Sequence, residues 1–142
     1  IRGIKTLPLR MEQHQKNAFA IAKWLQEQPR VQYVLYPGLE NHPGYEINKA
    51  QTTGFGGMIS FAVDSAETAR QILEGVKLIK FAESLGGTES LITYPIRQTH
   101  TDLTAEECAE KGITDCLLRF STGIEATQDL IDDLAQAFAV IE

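Results

Sequence analysis

A chain of 142 residues with 43% apolar and 23% charged side chains has the size and composition of one folded domain around one core, not of a disordered segment. Nineteen acidic against thirteen basic side chains leave a net charge of -6, a field of the wrong sign for nucleic acid or an anionic membrane surface. No apolar run approaches the roughly 20 residues of a transmembrane helix, and the opening Ile1-Arg2-Gly3-Ile4 has neither an initiator methionine nor a signal region, so it reads as a cut inside a longer polypeptide.

The first predicted element is a long helix entered near Thr6, a small hydroxyl residue suited to capping, with Pro8 in its first turn. Leu7, Met11, Ala18, Ala22 and Leu25 recur on one face, and Gln28-Pro29 closes it because the residue before proline disfavours helical geometry. Val31 to Tyr36 reads as a strand ended by Pro37-Gly38, and a brief helix is expected around Tyr45 to Ala50. Behind the flexible Gly54-Phe55-Gly56-Gly57 lead, Met58 to Val63 places Ile59, Phe61 and Val63 on one face of a strand. Asp64 with Glu67 has the spacing of a capping box, and Ala69, Ile72, Leu73 and Val76 follow at helical spacing.

Leu78 to Ala82 and Leu91 to Tyr94 read as further strands joined by a glycine-bearing loop. Thr104 with Glu107 is a second capping box, opening a short helix that stops at Gly112. Leu117 to Ser121 is a strand, and a last helix from about Thr127 brings Ile131, Leu134, Phe138 and Ile141 together. One long helix followed by alternating strands and helices predicts an α+β fold, a sheet with helices on one face, and the absence of repeats or linkers predicts a single unit over residues 1–142. Cys108 and Cys116, separated by seven residues, fit neither a zinc site nor a CxxC pair and are expected to be reduced thiols of a cytoplasmic protein. His14, His42 and His100 stand singly, and no metal site is expected.

Two stretches carry polar groups beside glycine at strand ends: Phe81 to Leu91, containing Glu83-Ser84-Leu85-Gly86-Gly87, and Leu117 to Glu125, containing Arg119 and Gly123. Paired glycines let a backbone turn sharply or approach a ligand closely; taken alone, Gly86-Gly87 reads first as a plain surface turn, since most double glycines merely turn the chain. Arg119 stands between Leu118 and Phe120 inside a strand, so its guanidinium must reach water or meet an anion. A structural ion pair is one partner; a ligand carboxylate, held by two parallel hydrogen bonds from the planar fork, is the other.

Ala82-Glu83-Ser84-Leu85-Gly86-Gly87 with Glu89-Ser90-Leu91, the Thr99-His100 pair, and Leu118-Arg119 followed by Gly123-Ile124-Glu125 and Asp129-Leu130-Ile131 resemble the C-terminal domain of the Cys/Met-metabolism pyridoxal-phosphate enzymes. That group includes cystathionine γ-synthase, cystathionine γ- and β-lyases, methionine γ-lyase and the O-acetylhomoserine sulfhydrylases. The resemblance runs from Arg2-Gly3 through Leu9-Arg10-Met11-Glu12 and Tyr36-Pro37-Gly38 to the last helix. It implies the C-terminal domain of a fold-type I transferase, with a small, mostly antiparallel sheet covered by helices on one face. It also implies pyridoxal 5'-phosphate as an electron sink for elimination or replacement at the γ-carbon of an amino acid such as cystathionine or an O-acylated homoserine.

By the same resemblance Arg119 binds the substrate α-carboxylate, and Ser84 is the catalytic-site hydroxyl that tends the cofactor lysine while also lining the substrate. Glu83, which meets the distal part of a cystathionine-like substrate, and Leu85 complete the substrate-binding set. The implied cofactor-binding residues, including the lysine, lie in a preceding large domain absent from this sequence; Lys77 and Lys80 do not read as replacements. Implied partners are that large domain and the neighbouring subunits of a homotetramer, and this segment alone is expected to be inactive. A free-standing α+β binding module that no longer serves catalysis is the alternative from another class.

Overall fold

Apolar alternation on the central strands generates the sheet and decides which face the helices cover. The computed structural model describes residues 1–141. After a 3-10 turn at Gly3–Thr6, the elements are α1 (Leu7–Gln26), β1 (Val31–Leu35), α2 (Tyr45–Gln51), β2 (Met58–Val63), α3 (Ala66–Gly75), β3 (Lys80–Phe81), β4 (Leu91–Thr93), a second 3-10 turn at Pro95–Arg97, α4 (Ala105–Glu110), β5 (Leu117–Ser121) and α5 (Thr127–Ala139). The five strands lie in the order β1-β2-β5-β4-β3, and every pairing is antiparallel except β3 with β4. The fold is thus α+β with a mostly antiparallel sheet, as the sequence predicts.

Register puts Val34, Phe61 and Leu118 in one transverse row and Ile59, Phe120 and Ile92 in the next. All six are buried in the main core cluster, together with Ala18, Ile21, Ala22 and Leu25 of α1, Ala69 and Ile72 of α3, and Leu130 and Leu134 of α5. Burying one Leu, Ile or Phe of this set contributes on the order of 1.5–3 kcal/mol. Helices α1, α3 and α5 therefore share one face, while the other face carries Tyr33, Leu35, Ser60, Arg119 and Thr93.

Several expectations change in detail. On α1, Leu7 and Met11 are each 40% exposed, and the buried stripe instead includes His14 and Asn17. Thr6 makes no side-chain cap; its hydroxyl reaches back to the Gly3 carbonyl. The cap of α3 is Ser65, not Asp64: the Ser65 hydroxyl accepts from the Thr68 amide, while the Asp64 carboxylate accepts from the Thr68 hydroxyl and pairs with Arg30. The Thr104–Glu107 capping box forms in full, and Gly112, at φ 68°, ends that helix in the left-handed conformation.

The strand expected over Leu78 to Ala82 shrinks to Lys80–Phe81 for an identifiable reason. The Asp133 carboxylate, buried on α5, accepts the amides of Lys77, Leu78 and Ile79 at 2.8, 2.9 and 2.9 Å, so those donors are spent on a side chain and not on a ladder. The same capture ties the end of α3 to α5 and aims the chain into β3 and the glycine loop beyond it.

Candidate functional site

Because side chains alternate along a strand, the burial of Leu118 and Phe120 in the helix-covered core turns Arg119 onto the opposite face of β5. There it stands in a transverse row with Ser60 on one side and Thr93 on the other. Its Nη2 donates to the Glu83 backbone carbonyl at 2.7 Å and to the Thr93 hydroxyl at 3.1 Å. Thr93, 1% exposed, donates its own hydroxyl hydrogen bond to the Ala82 carbonyl at 2.7 Å. The Arg119 Nε is buried with no hydrogen-bond partner, and among the described residues no carboxylate lies within ion-pair distance of the guanidinium.

Among the described residues, the chain thus supplies Arg119 with neutral acceptors and no ion pair. This changes the expected fork. Both Nη2 hydrogens are committed to the protein, so Nη1 is the terminal nitrogen available for an incoming anion.

The segment carrying the other predicted site residues is held across the end of β5. The Ala82 amide donates to the Ile92 carbonyl, and the Gly86 amide donates to the Ser121 hydroxyl at 2.9 Å. Gly86 has φ 72°, which requires glycine here and lets the chain reverse. Between these anchors Glu83, Ser84 and Leu85 are exposed, Leu85 to 55%. The structure therefore brings Glu83 to Arg119 through its backbone carbonyl; among the described residues the Glu83 carboxylate and the Ser84 hydroxyl have no hydrogen-bond partner, and the Leu85 side chain is exposed.

The second glycine motif serves as the clasp of this loop. Ser90 is fully buried; its amide and hydroxyl donate to the two Glu125 carboxylate oxygens at 2.6 and 2.9 Å, and the hydroxyl accepts from the Gly123 amide at 2.8 Å. The Ile124 amide donates to the Thr88 carbonyl, and a β-carbon at Gly123 would collide with that carbonyl oxygen and the Glu89 backbone. From the helix side, the Asn17 amide donates to the carbonyls of Gly123 and Glu125, and His14 donates through Nδ1 to the Thr122 carbonyl. Thr99 and His100 bond to each other at 2.8 Å, and among the described residues neither bonds to Arg119.

Sequence reasoning missed Thr93, Ser90, Ser121, Asn17 and Asp133, all polar residues whose partners are distant in the chain. Next to Thr93, the Tyr94 hydroxyl donates to the Asp115 carbonyl; burial first, and the Asp115 charge second, hold this phenol above its ordinary pKa. Cys108 and Cys116 are free thiols, and burial raises the Cys116 pKa. A separate groove of about 730 Å³, lined by Phe19, Tyr45, Phe55 and Lys23 among others, contains none of the predicted site residues.

The sequence matches the family model described as Cys/Met metabolism PLP-dependent enzyme over residues 1–139. The chain belongs to that family. It is 53% identical over 138 residues to cystathionine gamma-lyase of Dictyostelium discoideum, covering 96% of this chain and 36% of that protein. It is 52% identical over 139 residues to cystathionine gamma-synthase of Haemophilus influenzae, covering 98% of this chain and 33% of the relative. Its fold superposes with a TM-score of 0.94 and 42% identity on cystathionine gamma-lyase from Lactobacillus plantarum, solved in complex with L-serine, covering 99% of this chain and 37% of that one. The chain thus spans about a third of the length of these relatives, a fit to the C-terminal part of the family architecture.

Family members use pyridoxal phosphate in their full-length form. The lysines noted in the sequence do not fit a covalent anchor for it: Lys77 and Lys80 are both exposed, and the Lys80 ammonium donates to the Lys77 carbonyl at 2.6 Å. Among the described residues no group of three His, Cys, Asp or Glu side chains is placed to hold a metal ion, and no helix is long and apolar enough to cross a membrane.

Proposed function

We propose that this chain is the substrate-side domain of a transsulfuration enzyme acting on cystathionine or an O-acylated homoserine, in which Arg119 grips the substrate α-carboxylate. The observation that carries this reading is the state of Arg119: partly buried, fixed by two neutral acceptors, without a carboxylate partner among the described residues, and with Nη1 free. A cation held in this way keeps its charge available to an anionic ligand, and an amino-acid carboxylate suits it in charge and in acceptor geometry. Ser84 and Glu83, exposed two and three residues before the Gly86 anchor, are then presented beside that carboxylate.

In this reading Ser84 acts as a hydroxyl that both donates and accepts as a neighbouring amine changes protonation, and Glu83 and Leu85 contact the distal part of the substrate. Pyridoxal phosphate, held by residues outside this chain, supplies the electron sink for elimination or replacement at the γ-carbon. The isolated segment is therefore inactive, and the working unit is the full-length, cytoplasmic homotetramer. Near-equal identity to a lyase and a synthase leaves overall similarity unable to choose the reaction. Turnover of the full-length enzyme with cystathionine, O-acylated homoserine and methionine separates the γ-lyase, γ-synthase or sulfhydrylase and methionine γ-lyase activities.

The carboxylate role is tested by Arg119→Ala in the full-length enzyme. Loss of a charge-assisted contact of about 1.5–3 kcal/mol raises KM by roughly 10- to 150-fold. Cofactor absorbance should stay intact. Unchanged KM and kcat would rule the role out.

A further inference from the structure

We infer that Thr93 is a positioning residue for substrate recognition: its single hydroxyl fixes the guanidinium of Arg119 and the backbone of the Glu83–Leu85 segment to each other. The inference rests on the reading of Arg119 as the carboxylate-binding group and adds a residue to it.

The geometry is specific. Thr93 is paired with Arg119 across the β4–β5 ladder, so the two side chains stand side by side on the same face. The hydroxyl accepts from Arg119 Nη2 at 3.1 Å and donates to the Ala82 carbonyl at 2.7 Å. At 1% exposure water cannot stand in for either contact. The Glu83 carbonyl, next in the chain after Ala82, takes the second Nη2 hydrogen at 2.7 Å. Arg119, Thr93, Ala82 and Glu83 thus close a ring of hydrogen bonds in which only a group that accepts and donates at once can occupy position 93.

Two consequences follow. Both Nη2 hydrogens are spent, which leaves Nη1 as the end of the guanidinium presented to a ligand; without the hydroxyl, the guanidinium plane is free to turn about the remaining bond to Glu83. The Ala82 carbonyl would at the same time lose its donor, loosening the stretch that carries Ser84. A residue that shapes the recognising group in this way acts before chemistry, so its loss should appear in substrate affinity more than in turnover.

The test uses the full-length enzyme loaded with cofactor. Thr93→Val keeps the side-chain shape and removes the hydroxyl; KM for the amino-acid substrate should rise about tenfold while kcat stays within about threefold. Thr93→Ser restores the hydroxyl and should return KM to within about threefold of the parent. In an Arg119→Ala background, Thr93→Val should change affinity by no more than about threefold, because the guanidinium it positions is gone and only the looser Ser84 stretch is left to act. If the valine variant does not accumulate as folded enzyme, Thr93→Cys, a similar volume with a far weaker donor, takes its place in the same comparisons. The inference is overturned if Thr93→Val leaves KM unchanged, if serine fails to rescue, or if the valine effect persists undiminished without Arg119. Should Arg119→Ala itself leave KM unchanged, the underlying carboxylate reading fails, an outcome distinct from a silent Thr93→Val beside a damaging Arg119→Ala.

Discussion

The buried carboxylate of Asp133 offers the sharpest quantitative test of how this segment is assembled. Asp133→Ala removes the acceptor for three amides at once, those of Lys77, Leu78 and Ile79. Their surroundings differ. Ile79 is 1% exposed, so its amide is left without water or protein, a loss of about 1–3 kcal/mol. Lys77 and Leu78 are exposed, so their amides can be rehydrated and should cost only about 0.5–1.5 kcal/mol each. The expected total is about 2–6 kcal/mol, a large share of the stability of a domain of this size. Asp133→Asn keeps one acceptor oxygen, which in the place of Oδ2 still serves Leu78 and Ile79, and should cost about 1–2 kcal/mol. Urea denaturation followed by the fluorescence of Trp24, the chain's one tryptophan, reports the change directly, since its ring packs edge-on to Phe138 of α5 at 5.5 Å. An alanine variant losing less than about 1 kcal/mol, or an asparagine variant as damaged as alanine, would refute the reasoning.

Three further outcomes are expected. Burial pushes the Tyr36 hydroxyl from its ordinary 10.0 up to about 12, so between these values only the unfolded chain ionises and stability should fall as pH rises through that window. Tyr36→Phe should flatten that alkaline decline while costing about 1 kcal/mol at neutral pH for the lost bond to the Gly56 carbonyl, as alkaline denaturation series of the two proteins would show. Gly123→Ala should destabilise by about 1–3 kcal/mol, because its β-carbon meets the Thr88 carbonyl and Glu89 backbone at the loop clasp; denaturant midpoints measure it, and a neutral effect would mean the clasp yields freely. Gly86→Ala should cost about 1 kcal/mol for the left-handed backbone with no steric clash, and in the full-length enzyme should raise KM more than it lowers stability, since Gly86 anchors the Ser84 segment.

Much of this was readable from local pattern. The alternation of Ile59, Phe61 and Val63 fixed β2 to the residue, Leu117–Ser121 emerged as β5 with the same bounds, and the Thr104–Glu107 box formed because all its partners lie within one turn. Arg119 announced itself as a charge between two core residues, and the glycine motifs around Ser84 and Gly123 marked the loops that meet near it. A signal spanning a few residues is legible because both of its partners, or the whole period of its alternation, lie within one short stretch of sequence.

The remainder was decided by contacts between residues far apart in the chain. The strand order places β5 between β2 and β4, and that adjacency alone gives Arg119 its neighbours Ser60 and Thr93. Asp133 shortened β3 by capturing amides more than 50 positions earlier, a competition that no propensity of residues 77–82 can reveal. His14 and Asn17, polar residues on an otherwise apolar stripe, became buried because the turn after β5 offers them carbonyls. The sequence specified that a cation would stand on this strand; only the tertiary structure determined that its acceptors are neutral and that one of its terminal nitrogens is fully engaged, because those acceptors come from a neighbouring strand and the loop before it.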